Sequence, residues 1–173
     1  DLASWSKSTR LEQSTVLEIL IDTLEVLVHL HTAQPPILHR DIKPSNLMRR
    51  LDGRIVLIDF GQAVQDVHRT LGQTMVTGTI GYQAPEQIVG EATSKSDVYS
   101  VGVIAVELLT GTPAYTMLQG QTLRWEKHCR RLPLSVQEWL DAVLHPDGSE
   151  RYTSQQACVH LKQLVDAFVS TAE

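Results

Sequence analysis

Cysteine is scarce in this sequence. Cys129 and Cys158 make no C-x-x-C and no Cys/His spacing of the zinc-binding kind, which excludes a disulfide scaffold and fits a reduced, cytoplasmic protein. Basic charge is short as well: 15 Lys and Arg face 20 Asp and Glu, a formal −5, so no basic field draws the chain to nucleic acid. Arg49, Arg50 and Arg54 are a local cluster only. No apolar run approaches the roughly 18 uncharged residues of a membrane span, and no signal peptide opens the chain. Among ten glycines no two stand at G-x-G, which leaves no Gly-rich loop to cradle a phosphate. Internal repeats and low-complexity tracts are absent. So is a starting Met, and Asp1-Leu2-Ala3-Ser4-Trp5 does not read as a natural beginning, so the chain is expected to be a fragment.

What is present is ordinary globular composition, 42% hydrophobic and 20% charged, suited to one compact domain or one lobe of a larger one. Leu2, Trp5 and Leu11 predict a short amphipathic helix and a polar connection. From Ser14 to His31, Val16, Leu17, Leu20, Ile21, Leu24, Leu27 and Val28 recur at helical steps, with Ile19, Val26 and Leu30 making the other faces apolar, so this helix is expected to be mostly buried. Pro35 and Pro36 stop it. Asp52-Gly53 between Leu47-Met48 and the run Ile55 to Ile58 predicts a hairpin. Residues 97–110 leave no continuous polar stripe, which predicts a helix buried all round, with Ser96 as N-cap and Gly111 past its end. Residues 118–131 are read as helical, and 134–144 and 154–169 as two further amphipathic helices. The whole is one mainly helical unit with a small β element.

Polar residues concentrate in His39-Arg40-Asp41-Ile42-Lys43-Pro44-Ser45-Asn46. A carboxylate, an ammonium and an amide oxygen within six residues are the groups that accept a proton, neutralise phosphoryl oxygens and bind a hard cation. Asp59-Phe60-Gly61 follows a β-branched run, and a carboxylate at a strand end before Gly is well placed to hold a metal. Gly78-Thr79-Ile80-Gly81-Tyr82-Gln83-Ala84-Pro85-Glu86 and Asp97-Val98-Tyr99-Ser100-Val101-Gly102 come next.

In that order these stretches resemble the catalytic loop, the D-F-G metal loop, the end of the activation segment and the D-x-W-S-x-G helix of protein kinases. The resemblance covers nearly the whole chain and looks like the large C-terminal lobe of a serine/threonine kinase, residues 1–173, the helical part of an α+β parent fold. Ala84-Pro85-Glu86-Gln87 gives it a bacterial look. The resemblance implies Asp41 as catalytic base, Lys43 as the phosphoryl-stabilising cation, and Asn46 and Asp59 as ligands of Mg2+ that carries ATP. Leu47 and Met48 would floor the adenine site, and Asp1 would lie near the ribose. His39, Arg40, Phe60, Gly61, Asp97 and a Glu86–Arg151 pair would be structural. Lys43 and the pair Gly78-Thr79 favour a protein substrate with Ser or Thr.

Between Gly61 and Gly78 lies a polar segment read as a mobile loop, with Thr70, Thr74 and Thr77 as expected phosphorylation sites opposite Arg40. The Gly-rich loop and strand lysine of the family are missing, so the parent is expected to be an ATP-dependent kinase while this chain alone is nearly inactive. Its uncovered upper face, with Leu47, Met48 and Phe60, is expected to favour self-association. Two alternatives stand beside this reading. A pseudokinase or interaction module would keep the fold without the chemistry, although the lobe's catalytic residues are intact. A small-molecule phosphotransferase of kinase-like fold would lack Lys43 and the segment through Glu86.

Overall fold

Helix α4 (Ser94–Thr110) is the axis of the molecule, buried along nearly its whole length from Ser96 to Leu108. The computed structural model describes residues 1–62, 64, 65, 78–120 and 122–171. Gly111 ends α4 in the left-handed region, at φ 68°, as the sequence predicts. Its start differs from the expectation. Thr93 is the N-cap, its hydroxyl accepting from Lys95 N at 3.2 Å, while Ser96 lies inside the first turn and accepts from Thr93 N at 2.9 Å. The two hydroxyls form a reciprocal box, so the helix begins upstream of the predicted cap.

Helix α2 (Gln13–His31) packs against α4 and against α7 (Ser154–Thr171). Val16, Leu17, Ile19, Leu20, Thr23, Leu24 and Leu27 form its buried stripe, whereas Ile21, Val26, Val28 and Leu30 lie partly buried at the stripe's margins. Helix α6 (Leu134–Val143) closes the core, and Trp139 Nε1 donates to the Ala157 carbonyl of α7 at 3.0 Å. Gly102 of α4 is there because α6 comes so close: a Cβ would stand 2.8 Å from Leu144 Cγ and 2.9 Å from Val143 Cγ2. Short α1 (Leu2–Ser8) is capped by Asp1, whose Oδ1 accepts from Ser4 N at 2.8 Å. Among the described residues, the cap is the side-chain contact that Asp1 makes.

The predicted hairpin is formed by β2 (Leu47–Arg49) and β3 (Ile55–Leu57), antiparallel with Leu47 opposite Leu57. Gly53, at φ 89°, closes its turn, and Arg50 N bonds Arg54 O at 2.9 Å. Two further antiparallel pairs accompany it: β1 (Ile37–Leu38) with β4 (Val64–Gln65), and β5 (Leu118–Gln119) with β6 (Thr122–Leu123). The last pair corrects the helical reading of 118–131. Gly120 turns the chain at φ 65°, Leu123 and Trp125 bury alternate positions, and only α5 (Glu126–Cys129) is helical there. No helix among the described residues is long and apolar enough to cross a membrane.

Candidate active site

The loop from His39 to Asn46 joins β1 to β2 and is hung from the first turn of α4. Asp97 Oδ2 accepts from the backbone N of His39 and Oδ1 from that of Arg40, each at 2.8 Å. Arg40 is held at φ 69°, a left-handed conformation unusual for a side-chain-bearing residue, and its carbonyl accepts from Gln87 Nε2 on the short helix α3 (Pro85–Ile88). A sharp turn there delivers Asp41 to the site, and Pro44–Asn46 make a 3-10 turn that brings Asn46 back towards it.

Asp41 is only 6% exposed and is gripped from three sides. Lys43 Nζ donates to its Oδ2 at 2.8 Å, the Thr79 hydroxyl to its Oδ1 at 2.8 Å, and Asn46 Nδ2 to its backbone O at 2.8 Å and its Oδ2 at 3.3 Å. Lys43 Nζ also reaches Thr79 Oγ1 at 2.8 Å, which closes a ring of Asp41, Lys43 and Thr79. Burial alone would raise the Asp41 pKa, but the hydrogen bonds from Lys43 and Thr79 and the Lys43 charge outweigh it and hold the carboxyl below its ordinary range. The group is therefore an ionised carboxylate at neutral pH, oriented and shielded.

Two side chains, those of Asn46 and Asp59, offer hard oxygens. Asn46 commits its amide N–H to Asp41, and its Oδ1 accepts no hydrogen bond among the described residues. Asp59, at the end of β3 with φ 63°, exposes its carboxylate, whose one contact among the described residues is Gly61 N at 3.3 Å. Ile58 N donates to Asn46 O at 2.9 Å, which ties the two donor segments together. The set fits Mg2+: the ion takes one or two protein oxygens and completes its shell with phosphates and water. Both donors are oxygens, which suit a hard cation better than a softer metal, and the described residues hold no group of three His, Cys, Asp or Glu.

Around this centre, His39 Nε2 bonds the Ile58 carbonyl at 3.1 Å and the Phe60 ring meets the His39 ring edge-on at 4.9 Å. Phe60 is 45% exposed and Met48 38%, but Leu47 is 0% exposed and belongs to the core, contrary to the expectation that it shares an open floor with Met48. Neighbours on a strand face opposite ways. Glu86 and Arg151 pair as predicted, at 2.7 Å, and Ser96 Oγ adds a 2.6 Å bond to Glu86. Tyr82 donates to Glu107, and Ser100 Oγ donates to the Tyr82 carbonyl at 2.7 Å. Thr70, Thr74 and Thr77 lie outside the described residues.

The sequence places Thr79 in the activation segment, and its hydroxyl touches Asp41 directly. Sequence reasoning missed two contributors, of which Gln87 holds the Arg40 carbonyl. His31 contacts Asp97, although nothing in the sequence separates it from the other scattered histidines.

A family model described as "Protein kinase domain" matches residues 1–161. The chain is similar to serine/threonine-protein kinase PknA of Nostoc sp., with 36% identity across 89% of this chain and 29% of that protein. It is similar to serine/threonine-protein kinase B of Synechocystis sp., with 37% identity across 87% of this chain and 28% of that protein. PTI1-like tyrosine-protein kinase 1 of Arabidopsis thaliana is 42% identical across 64% of this chain and 32% of its own length. The chain thus spans less than a third of the length of these relatives.

Proposed function

Because the chain belongs to the protein kinase domain family, we propose that it carries the catalytic loop of a serine/threonine protein kinase, which moves the terminal phosphoryl group of ATP to a Ser or Thr hydroxyl of a protein. One observation carries this reading: a buried, ionised Asp41 held by Lys43, Thr79 and Asn46, with the Asp59 segment tied to Asn46 through Ile58 N. Asp41 accepts the proton of the attacking hydroxyl, a role worth about 10²- to 10⁴-fold. Lys43 keeps Asp41 oriented and offers its charge to the phosphoryl oxygens. Asn46 and Asp59 would hold Mg2+, and Met48 would line the adenine site. Mg-ATP, when bound, would supply the phosphoryl group and the metal charge that offsets its negative oxygens.

The preference for Ser and Thr rests on Lys43 and Gly78-Thr79. It is supported by relatives named as serine/threonine kinases that align over 89% and 87% of the chain, beside two named as tyrosine kinases that align over 64%. The same cyanobacterial relatives support a bacterial type. We read residues 1–173 as the large lobe: they contain no G-x-G loop, so the other wall of the nucleotide site has to be supplied from elsewhere, and the chain alone should be nearly inactive. Its free, buried thiols fit a cytoplasmic setting. The exposed Met48, Ile58 and Phe60 favour self-association of the isolated chain, which light scattering over a concentration series checks. Arg40 Nε is buried and has no hydrogen-bond partner among the described residues, which supports pairing with a phosphate on Thr70, Thr74 or Thr77. Mass spectrometry of active kinase with no phosphate between Gly61 and Gly78 would remove that part of the reading.

The deciding assay is transfer of phosphate from Mg-ATP to a generic Ser/Thr substrate by the full-length protein. Asp41→Asn should lower kcat with ATP binding kept, and Asp59→Asn should also weaken Mg-ATP binding. Normal transfer by either variant would refute the proposed function.

A further inference from the structure

At the end of α2, His31 stands between two helices. Its Nε2 is 3.1 Å from Asp97 Oδ2 on α4 and its Nδ1 is 3.0 Å from Ser154 Oγ at the start of α7. Side-chain exposure is 6% for His31 and 2% for Asp97, and Ser154 is 5% exposed, so the chain of bonds is shut off from water. Chemistry fixes one proton position. The Asp97 carboxylate already accepts from two backbone N–H groups, those of His39 and Arg40, and has only acceptor capacity to offer His31. Nε2 of His31 must therefore be the N–H, while Nδ1 faces the Ser154 hydroxyl, a group able to donate or to accept.

We infer that His31, oriented by Ser154, is a positioning residue for phosphoryl transfer: it pins Asp97 against the backbone of His39 and Arg40 and so sets the position of Asp41. This rests on the kinase reading above. The Arg40 conformation is what makes the pin matter. A side-chain-bearing residue at φ 69° is strained and persists only where its surroundings over-determine it. Asp97 fixes its N–H and Gln87 its carbonyl, and Asp41 is the next residue along. Without His31, Oδ2 of Asp97 keeps one donor, the His39 amide, and the carboxylate is free to turn about its Cβ–Cγ bond away from the loop. A pure helix staple would have no such consequence. Its loss would loosen α2, α4 and α7 together and leave the balance between kcat and KM untouched.

His31→Leu, His31→Gln and Ser154→Ala in the full-length protein separate the two. Gln carries an amide N–H near the place of Nε2 and so restores the donor to Asp97. Leu restores nothing. Expected for His31→Leu is a fall in kcat on the order of 10²-fold, the scale of a misplaced catalytic group, with KM for ATP held. His31→Gln should recover most of it, and Ser154→Ala should fall between. Amide exchange gives a readout independent of activity: His39 and Arg40 should exchange faster in His31→Leu while residues 98–108 stay protected. Unchanged kcat in His31→Leu overturns the inference, as does loss of protection spread evenly over α2, α4 and α7 with no rescue by Gln. Should the unaltered protein transfer no phosphate, the kinase reading fails by itself, and exchange at His39 and Arg40 still decides whether His31 holds the loop.

Discussion

Arg151 grips Glu86 with both arms of its guanidinium, Nη1 at 2.7 Å from Oε1 and Nη2 at 3.2 Å from Oε2, while being 1% exposed itself. Its remaining donors go to the carbonyls of Lys95, His145 and Pro146, and its charge lies 4.9 Å from the Tyr99 ring. One side chain thus ties the Ala-Pro-Glu turn, α4 and the loop before α7 into a single joint.

Arg151→Ala is predicted to destabilise the protein by about 3–5 kcal/mol, because it takes the charged partner from the Glu86 carboxylate and a donor from each of three carbonyls. Lysine should not rescue it, since a point charge cannot reproduce the fork. Thermal melts check this, and a midpoint unchanged in Arg151→Ala would mean that the joint carries no load.

Acid should open the same joint. Burial by itself would raise the Glu86 pKa, but hydrogen bonds from Arg151 and Ser96 and the Arg151 charge bring it below its ordinary 4.5. A folded-state pKa below the unfolded one contributes stability that is complete above the unfolded value and lost as pH falls through the folded value. Denaturant melts from pH 6 downward should therefore lose stability below about 4.5, and Glu86→Gln should lose less of it on the way. Parallel curves for the two proteins would contradict the assignment.

Much of this was legible in the sequence. The run 97–110, with no continuous polar stripe, means burial nearly all round, Gly111 marks its end, and Asp52-Gly53 marks the hairpin, because each is a local preference that the fold does not oppose. What escaped was set by tertiary partners. Either Thr93 or Ser96 could cap α4, and only their mutual bonds decide. Leu118, Leu123, Trp125 and Cys129 suit a helix as well as a ribbon until Gly120 adopts a positive φ. Leu47 and Met48 are neighbours in sequence yet face core and solvent. His31 meets residues 66 and 123 positions away, a pairing with no signal in composition or period.

Gly102→Ala tests how tightly the axis is packed. In a helix interior alanine is worth about 0.8–1 kcal/mol over glycine. Here the added methyl would meet Leu144 Cγ and Cδ2 at 2.8 Å, and a branch carbon cannot swing aside as a chain end can. Overpacking costs about 1–3 kcal/mol, so the net change should be destabilising. A midpoint higher in Gly102→Ala would show that α6 can shift without cost.

Thr79 offers a separate test of the site itself. Its hydroxyl donates to Asp41 Oδ1 and accepts from Lys43 Nζ, both at 2.8 Å, so it orients the base and the cation together. Valine keeps the shape of threonine and removes both bonds. A hydrogen bond to a charged group is worth about 1.5–3 kcal/mol, which corresponds to a fall in kcat of about 10- to 150-fold if the bond is needed in the transition state. Thr79→Ser keeps the hydroxyl and should stay near the unaltered rate. The pH profile separates orientation from simple crowding. Burial works to raise the Asp41 pKa, and the Thr79 bond is one of the contacts that bring it down. Losing that bond must raise the pKa, and because Asp41 acts only when ionised, the acid limb of kcat in Thr79→Val should move to higher pH while that of Thr79→Ser stays in place. An acid limb unmoved in Thr79→Val, with kcat intact, would mean that Lys43 and Asn46 hold Asp41 without help and that the Thr79 contact is incidental.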